Sequence, residues 1–243
     1  MGVGLFYPAW TATVAAPLPY FTKVDDVVSR IARSDDQKLL NLEAFTVVRQ
    51  YVLKNPRLSH EATMRVRWSY TKNSGKSYEI LESRGAEGMA GKILTRVLEG
   101  EAEAATPAHR ENSRLSAEHY EFHLRGMQDF RGRPCYVLDL RPRVKSRFVL
   151  AGTAWIDARD FSPVRVEGRP SANISFFVGK PYIVQEFQKI GDFYMASYHR
   201  ALSESRILGD SELTIEYSDY DVRSIEGTRV ALRQCTSRAS LNN

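Results

Sequence analysis

Apolar residues recur along this chain at two different periods. Over residues 23–44 the spacing is helical. Val24, Val27, Val28 and Ile31, then Leu39 and Leu40, share a face, and Asp25 and Asp26 fall in the first turn, where the helix dipole favours negative charge. A brief break is expected at Ser34-Asp35. A period of two then takes over. Phe45, Val47, Arg49, Tyr51 and Leu53 alternate with Thr46, Val48, Gln50, Val52 and Lys54, and Met64, Val66, Trp68 and Tyr70 alternate with Arg65, Arg67, Ser69 and Thr71. The second set predicts a half-buried strand with one apolar and one basic or polar face. Asn73-Ser74-Gly75 is turn chemistry, and Lys76–Arg84 follows as the third strand of an antiparallel meander.

Helical spacing returns over 87–103, where Met89, Ile93, Leu94, Val97 and Leu98 lie on one side. The polar stretch Ala104–Ser116, with Pro107, reads as the longest loop and as a mobile one. Beyond it strands are expected at Glu118–Arg125, Cys135–Leu140, Phe148–Ile156, Val164–Glu167, Ile174–Val178, Tyr182–Ile190, Tyr194–Leu202 and Leu213–Tyr217, separated by turns that mostly contain Gly or Pro. The tail from Ser224 to Asn243 reads as polar and irregular. About ten strands with two helices leave too few crossovers for a parallel sheet. The fold class is therefore mainly β (α+β), an antiparallel sheet that curls strongly or closes.

A sheet of that size needs its concave face filled. The two helices stand where they can plug it, one before the first strand and one after the third. Complete plugging gives a packed core; partial plugging leaves an apolar cavity for a lipid chain. By alternation, Trp68, Tyr70, Tyr120, Phe122, Phe148, Phe176 and Tyr217 share the inner face. From this face Arg49, Tyr51, Val66, Trp68, Tyr70, Phe122, Phe148 and Phe176 are the candidate ligand-binding residues; as ordinary core packing they need no ligand. Arg49 is the unusual member, in phase with Phe45, Val47, Tyr51 and Leu53. An inward guanidinium requires a carboxylate, a carbonyl or a ligand polar group, unless it snorkels to water at a rim.

Composition narrows the classes. Among 243 residues, 43% are hydrophobic and 26% charged, as in an ordinary globular protein. No apolar run approaches the roughly 18–20 residues of a membrane-spanning helix. The net charge of +5 suits acidic partners, although the charges are spread along the chain. Two cysteines, Cys135 in an apolar strand and Cys235 in the tail, form no metal-binding pattern, and their pairing stays open. Residues 1–22 are uncharged apart from the amino terminus, and Thr13-Val14-Ala15 within them offers a small-residue cleavage site. They read as an export signal, though no Lys or Arg precedes them and Pro8 interrupts them; a disordered N-terminus is the alternative.

The order of helix, three strands, helix and a long antiparallel run resembles the LolA/LolB-like fold of outer-membrane lipoprotein carriers and sorting proteins. The local text is similar too: Tyr136-Val137-Leu138-Asp139-Leu140-Arg141-Pro142-Arg143; Ala154-Trp155-Ile156-Asp157, then Asp160 to Gly168; and Leu213 to Tyr220. The resemblance covers roughly 23–222, leaving 223–243 as the tail. It implies an unclosed half-barrel with a helical lid, a hydrophobic cavity for lipid or lipoprotein acyl chains, and a periplasmic location. Contact with the envelope membrane surface or with transport proteins is also expected, and the chain is expected to be a monomer.

Other functions are weaker on the residues. His119 and His123 would lie about 13 Å apart along a strand, too far to share a metal, and their phase beside Glu121 suggests a solvated face. Glu99, Glu101 and Glu103 read as a solvated helix end. No nucleophile elbow, P-loop or dinucleotide fingerprint occurs, so neither an enzyme nor a cofactor is expected; a hydrolase without a recognisable motif is the residual enzymatic reading. Arg141, Arg143, Lys145 and Arg147 form a basic alternation before Phe148. It reads as a solvated turn, or as a site for anionic lipid headgroups. No nucleic-acid-reading motif accompanies it, and no nucleic-acid partner is expected.

Overall fold

A computed structural model describes residues 21, 23–56, 61–104, 106, 111, 114–174, 180–204 and 209–234. Helix α1 (Val24–Asn41) leads directly into β1 (Leu42–Lys54), β2 (Ala62–Thr71) and β3 (Gly75–Arg84); helix α2 (Gly88–Ala104) follows. Then come β4 (Tyr120–Phe130), β5 (Arg133–Pro142), β6 (Leu150–Asp157), β7 (Pro163–Pro170), β8 (Tyr182–Ile190), β9 (Phe193–Ser203), β10 (Ser211–Ser224) and β11 (Arg229–Gln234). All pairings are antiparallel, in the order β3-β2-β1-β10-β9-β8-β7-β6-β5-β4, with β11 on the far half of β10. The sheet is unclosed, with β3 and β4 as its ends.

Several expectations are corrected. The first helix stops at Asn41, and residues 42–44 already belong to β1. It runs unbroken through Ser34-Asp35, because Ser34 Oγ donates to Asp160 O (2.7 Å) and Arg114 bonds Asp35 and Asp36 (2.9 and 2.5 Å). Leu40 is 66% exposed, and Met89 on α2 is exposed too, so neither belongs to a buried stripe. Phe148 precedes β6 in a turn. β11 forms where irregular tail was expected, because Val230 and Leu232 pair with Val222 and Tyr220 of β10. Of the expected strand Ile174–Val178, residues 175–178 lie outside the described residues.

Each helix covers one flank of the same sheet face. α1 buries Val27 and Ile31 in a cluster with Tyr120, Tyr136, Leu138, Leu140, Ala154 and Ile156 of β4–β6. Phe21 joins it, its ring packed on Tyr136 and Phe161. α2 buries Ala90, Leu94 and Leu98 against β1, β2 and β10 in a second cluster built around Tyr51, Val66, Trp68 and Ile215. Each buried Val, Ile or Leu of the two helices contributes roughly 1.5–3 kcal/mol, which outweighs the few tenths from helix propensity.

The β6 and β7 backbones approach closely at a facing pair of glycines, Gly152 and Gly168. A Cβ at Gly152 would stand 1.9 Å from Glu167 O, and one at Gly168 (φ +156°) would stand 2.2 Å from Ala151 O. Facing glycines let the two backbones approach where a side chain would hold them apart.

Candidate functional site

Register defines the inner face residue by residue. One row runs Phe122, Leu140, Gly152, Gly168, Ile183, Ala201, Leu213, Leu53, Ala62, crossing nine strands without a polar side chain. The next row runs Leu124, Leu138, Ala154, Val166, Gln185, His199, Ile215, Tyr51, Met64. Gly168, Ile183, Gln185, His199 and Ala201, in the middle of the sheet, belong to neither helix-covered cluster. All except Gly168 are half-buried.

A polar network fastens α2 to this face. Arg49, 5% exposed, pairs with Glu101 of α2. Tyr51 Oη donates to Glu101 Oε1 at 3.0 Å, and Trp68 Nε1 donates to Tyr51 Oη at 3.0 Å. The Arg49 guanidinium lies 4.9 Å from the ring centres of both Trp68 and Tyr217. Burial opposes its charge, but Glu101 together with Tyr217, Tyr51 and Tyr220 outweighs burial and raises its pKa above the ordinary arginine value. Burial and the Glu101 charge push Tyr51 up. Burial lowers His199, Arg49 acts the same way, and Glu101 opposes both. Among the described residues, Arg49 Nε finds no acceptor. Further along α2, Glu103 pairs with Arg147 of the β5–β6 connection.

A second polar cluster anchors α1 to the β6–β7 turn. Lys38 Nζ bonds Ser34 Oγ (2.7 Å) and Ser162 Oγ. Tyr194 Oη reaches Asp157 (2.9 Å) and Asp160 (2.7 Å), and Lys189 Nζ lies 2.8 Å from Asp160. Burial lowers Lys38. For Asp160, burial pushes the carboxyl up, and the hydrogen bonds from Lys189 and Tyr194 outweigh it, holding the group below its ordinary value. Ser162 is buried and Lys38 is engaged by hydroxyl and carbonyl groups, so this is a clamp between elements rather than an accessible serine–lysine nucleophile.

The candidate residues are thus divided by the fold. Arg49, Tyr51, Val66 and Trp68 meet beneath α2; Tyr70 belongs to the same cluster and stacks on Phe45 with ring centres 5.3 Å apart. Phe122 is half-buried at the edge of the α1 cluster beside Tyr120. Phe148 lies 4.9 Å from the Arg147 guanidinium, away from that group. Phe176 lies outside the described residues. Glu101 corrects the expectation of a solvated helix end: it follows Leu94 and Leu98 at positions i+7 and i+3, on the buried stripe of α2. That spacing was a legible signal. Nothing in the sequence pointed to His199, which reaches the network only through strand pairing. His119 is buried before β4, with Nδ1 2.9 Å from Ser116 Oγ, whereas His123 is exposed near Asp139. Cys135 is a buried free thiol, pushed up to about 12 by burial; Cys235 lies outside the described residues.

Two open clefts lie away from the network. One of about 600 Å³ sits at the strand ends among Lys54, Pro56, Glu61, Leu202 and Glu212; the other, about 450 Å³, runs beside α2 at Gly91, Lys92 and Arg96. Among the described residues no group of acidic, His or Cys side chains could hold a metal ion, and no helix is long and apolar enough to cross a membrane.

No protein-family model and no curated protein matches the chain. Solved structures do. A LolA superfamily protein from Nitrosomonas europaea is similar over 84% of this chain and 94% of its own, with 13% identity and a TM-score of 0.43. A domain assigned to outer membrane lipoprotein sorting from Vibrio parahaemolyticus is similar over 82% and 92%, with 17% identity and a TM-score of 0.46. A DUF1329 family protein from Desulfovibrio piger is similar over 81% and 92%, with 11% identity and a TM-score of 0.42. The chain is structurally similar to LolA-superfamily and lipoprotein-sorting domains at low sequence identity.

Proposed function

We propose that this chain is a non-enzymatic periplasmic carrier or chaperone that holds lipid, or the acyl chains of a lipoprotein, against the inner face of its sheet. The observation that carries this reading is the row from Phe122 to Ala62, apolar across nine strands and covered by helices only on its flanks. An acyl chain laid on such a row gains about 25 cal/mol per Å² buried, without directional demands on its identity. Gly168 and Ala201 keep the middle of the row shallow. Arg49 Nε supplies a donor for an ester or carboxyl oxygen of the cargo. Binding at Tyr51, Val66, Trp68 and Tyr70 requires α2 to move, and the Arg49–Glu101 and Arg147–Glu103 pairs set the resistance to that motion.

The test is titration of the purified protein with a fluorescent fatty acid. Saturable uptake is expected, and Ala201→Trp, which fills the middle strip, should weaken it at least severalfold. No uptake above a denatured control, or uptake indifferent to Ala201→Trp, would overturn the reading. A second reading, an interaction module of the cell envelope with a filled interior, is favoured by the complete burial of Tyr51, Val66, Trp68 and Leu94. On that reading, native mass spectrometry of protein taken from cells finds no bound lipid.

A further inference from the structure

The end of β5 and the connection after it carry Arg141, Arg143, Lys145 and Arg147 within seven residues. The fold sets a second group of cations beside it. Ser171, just after β7, lies with Oγ 2.8 Å from Val144 O and accepts from Ser146 N at 2.8 Å. Lys180 Nζ donates to Ser171 O at 2.8 Å, and Arg169 Nη1 donates to Lys180 O at 2.7 Å. Two stretches far apart in sequence therefore bring Arg169 and Lys180 to the same end of the sheet as the basic turn.

These charges are unequally compensated. Glu121 lies 3.7 Å from Arg141, and Glu103 pairs with Arg147. Among the described residues, Arg143, Lys145, Arg169 and Lys180 have no carboxylate partner; Arg143, Arg169 and Lys180 bond backbone carbonyls, which leave the charge in place. All four are exposed, and Val144 stands among them, itself 40% exposed. Such a patch offers charge to phosphate groups and an aliphatic side chain to the layer beneath them. It is poorly made for nucleic acid, because its rings, Phe148 and Tyr182, lie half-buried against Arg147 and Arg169 instead of standing free to stack on bases.

We infer that this end of the sheet docks the protein on an anionic phospholipid surface, with Arg143, Lys145, Arg169 and Lys180 meeting headgroup phosphates and Val144 entering the interface. The docking does not depend on what the inner face carries. It does give that face a direction, because Leu140 and Gly168 of the apolar row immediately precede Arg141 and Arg169.

The experiment is cosedimentation of the full chain with vesicles of phosphatidylcholine alone, or with about a third phosphatidylglycerol, at low and physiological salt. Binding is expected to the anionic vesicles only, and to weaken as salt rises. Each surface cation is worth roughly fivefold in partitioning, so Lys145→Glu with Lys180→Glu should lower binding by at least about tenfold. The matched pair Lys92→Glu with Arg96→Glu, on the exposed side of α2, makes the same change in net charge and should alter binding by less than about twofold. Should the first double variant unfold, Lys145→Glu alone serves, since that side chain has no hydrogen bond or ion pair among the described residues; a loss of at least about fivefold is expected. Equal losses in the two double variants, equal binding to neutral vesicles, or tighter binding to a single-stranded oligonucleotide at the same salt would each overturn the inference. Fatty-acid uptake plays no part in this readout, so failure of the carrier reading and failure of the docking are distinguishable.

Discussion

Arg49 keeps its charge on an apolar face, with Glu101 (side chain 24% exposed) as its counter-ion and two aromatic rings against its guanidinium. Removing one partner of a buried pair costs several kcal/mol because the other is stranded; the partial exposure of Glu101 reduces this. Glu101→Gln should therefore lower stability by about 1–3 kcal/mol in urea unfolding, whereas Arg49→Met with Glu101→Leu should recover most of the loss. His199 gives a pH signature. Its folded pKa is depressed from 6.5, so the unfolded chain takes up the proton first. Its contribution is at its full value above pH 6.5 and is lost as pH falls below that, toward the folded pKa. His199→Gln should flatten this part of the stability–pH curve, as read by thermal unfolding; an unchanged slope would assign it to other groups.

At the scale of elements, alternation located β1 and β2 and assigned their inner faces because β2 sets a buried row against a polar one and β1 keeps Thr46 and Lys54 exposed opposite its buried row. It was less informative for the central strands, where short runs and irregular register weaken the period. The ends of α1 were legible to within a few residues. Its lack of a break was not, since Ser34 is held by Asp160 from a turn more than a hundred residues away. The Gly152–Gly168 pair is another long-range device. Gly152→Ala should cost about 2–3 kcal/mol, because the added methyl meets the β7 backbone, which cannot rotate away as a side chain would. A loss below about 1 kcal/mol in chemical denaturation would show that β6 and β7 separate readily there.

For the whole molecule, an unclosed sheet leaves β3 and β4 at its ends, with backbone groups available for pairing to another chain. β3 also exposes Tyr78 and Ile80. Lys76, Glu79, Glu82 and Arg84 place charges of both signs along that strand, the usual protection against edge-to-edge association. The chain is expected to elute as a monomer in size-exclusion chromatography. Glu79→Thr with Glu82→Thr should shift it toward dimers or larger species at the same concentration; monomeric elution of that variant would mean that strand twist, rather than charge, protects the edge.

The sequence by itself determined the mainly β class, the two helices, the inward phase of Arg49 and the basic turn before Phe148, because period and turn chemistry are local properties that a residue carries wherever it sits. Only the tertiary structure decided that Glu101 answers Arg49, that His199 joins them, that Arg169 and Lys180 enlarge the basic turn into a patch, and that the apolar row runs unbroken across nine strands. Those facts depend on which strands pair and in what register, and pairing is fixed by cooperative packing of segments distant in sequence, which local pattern does not record.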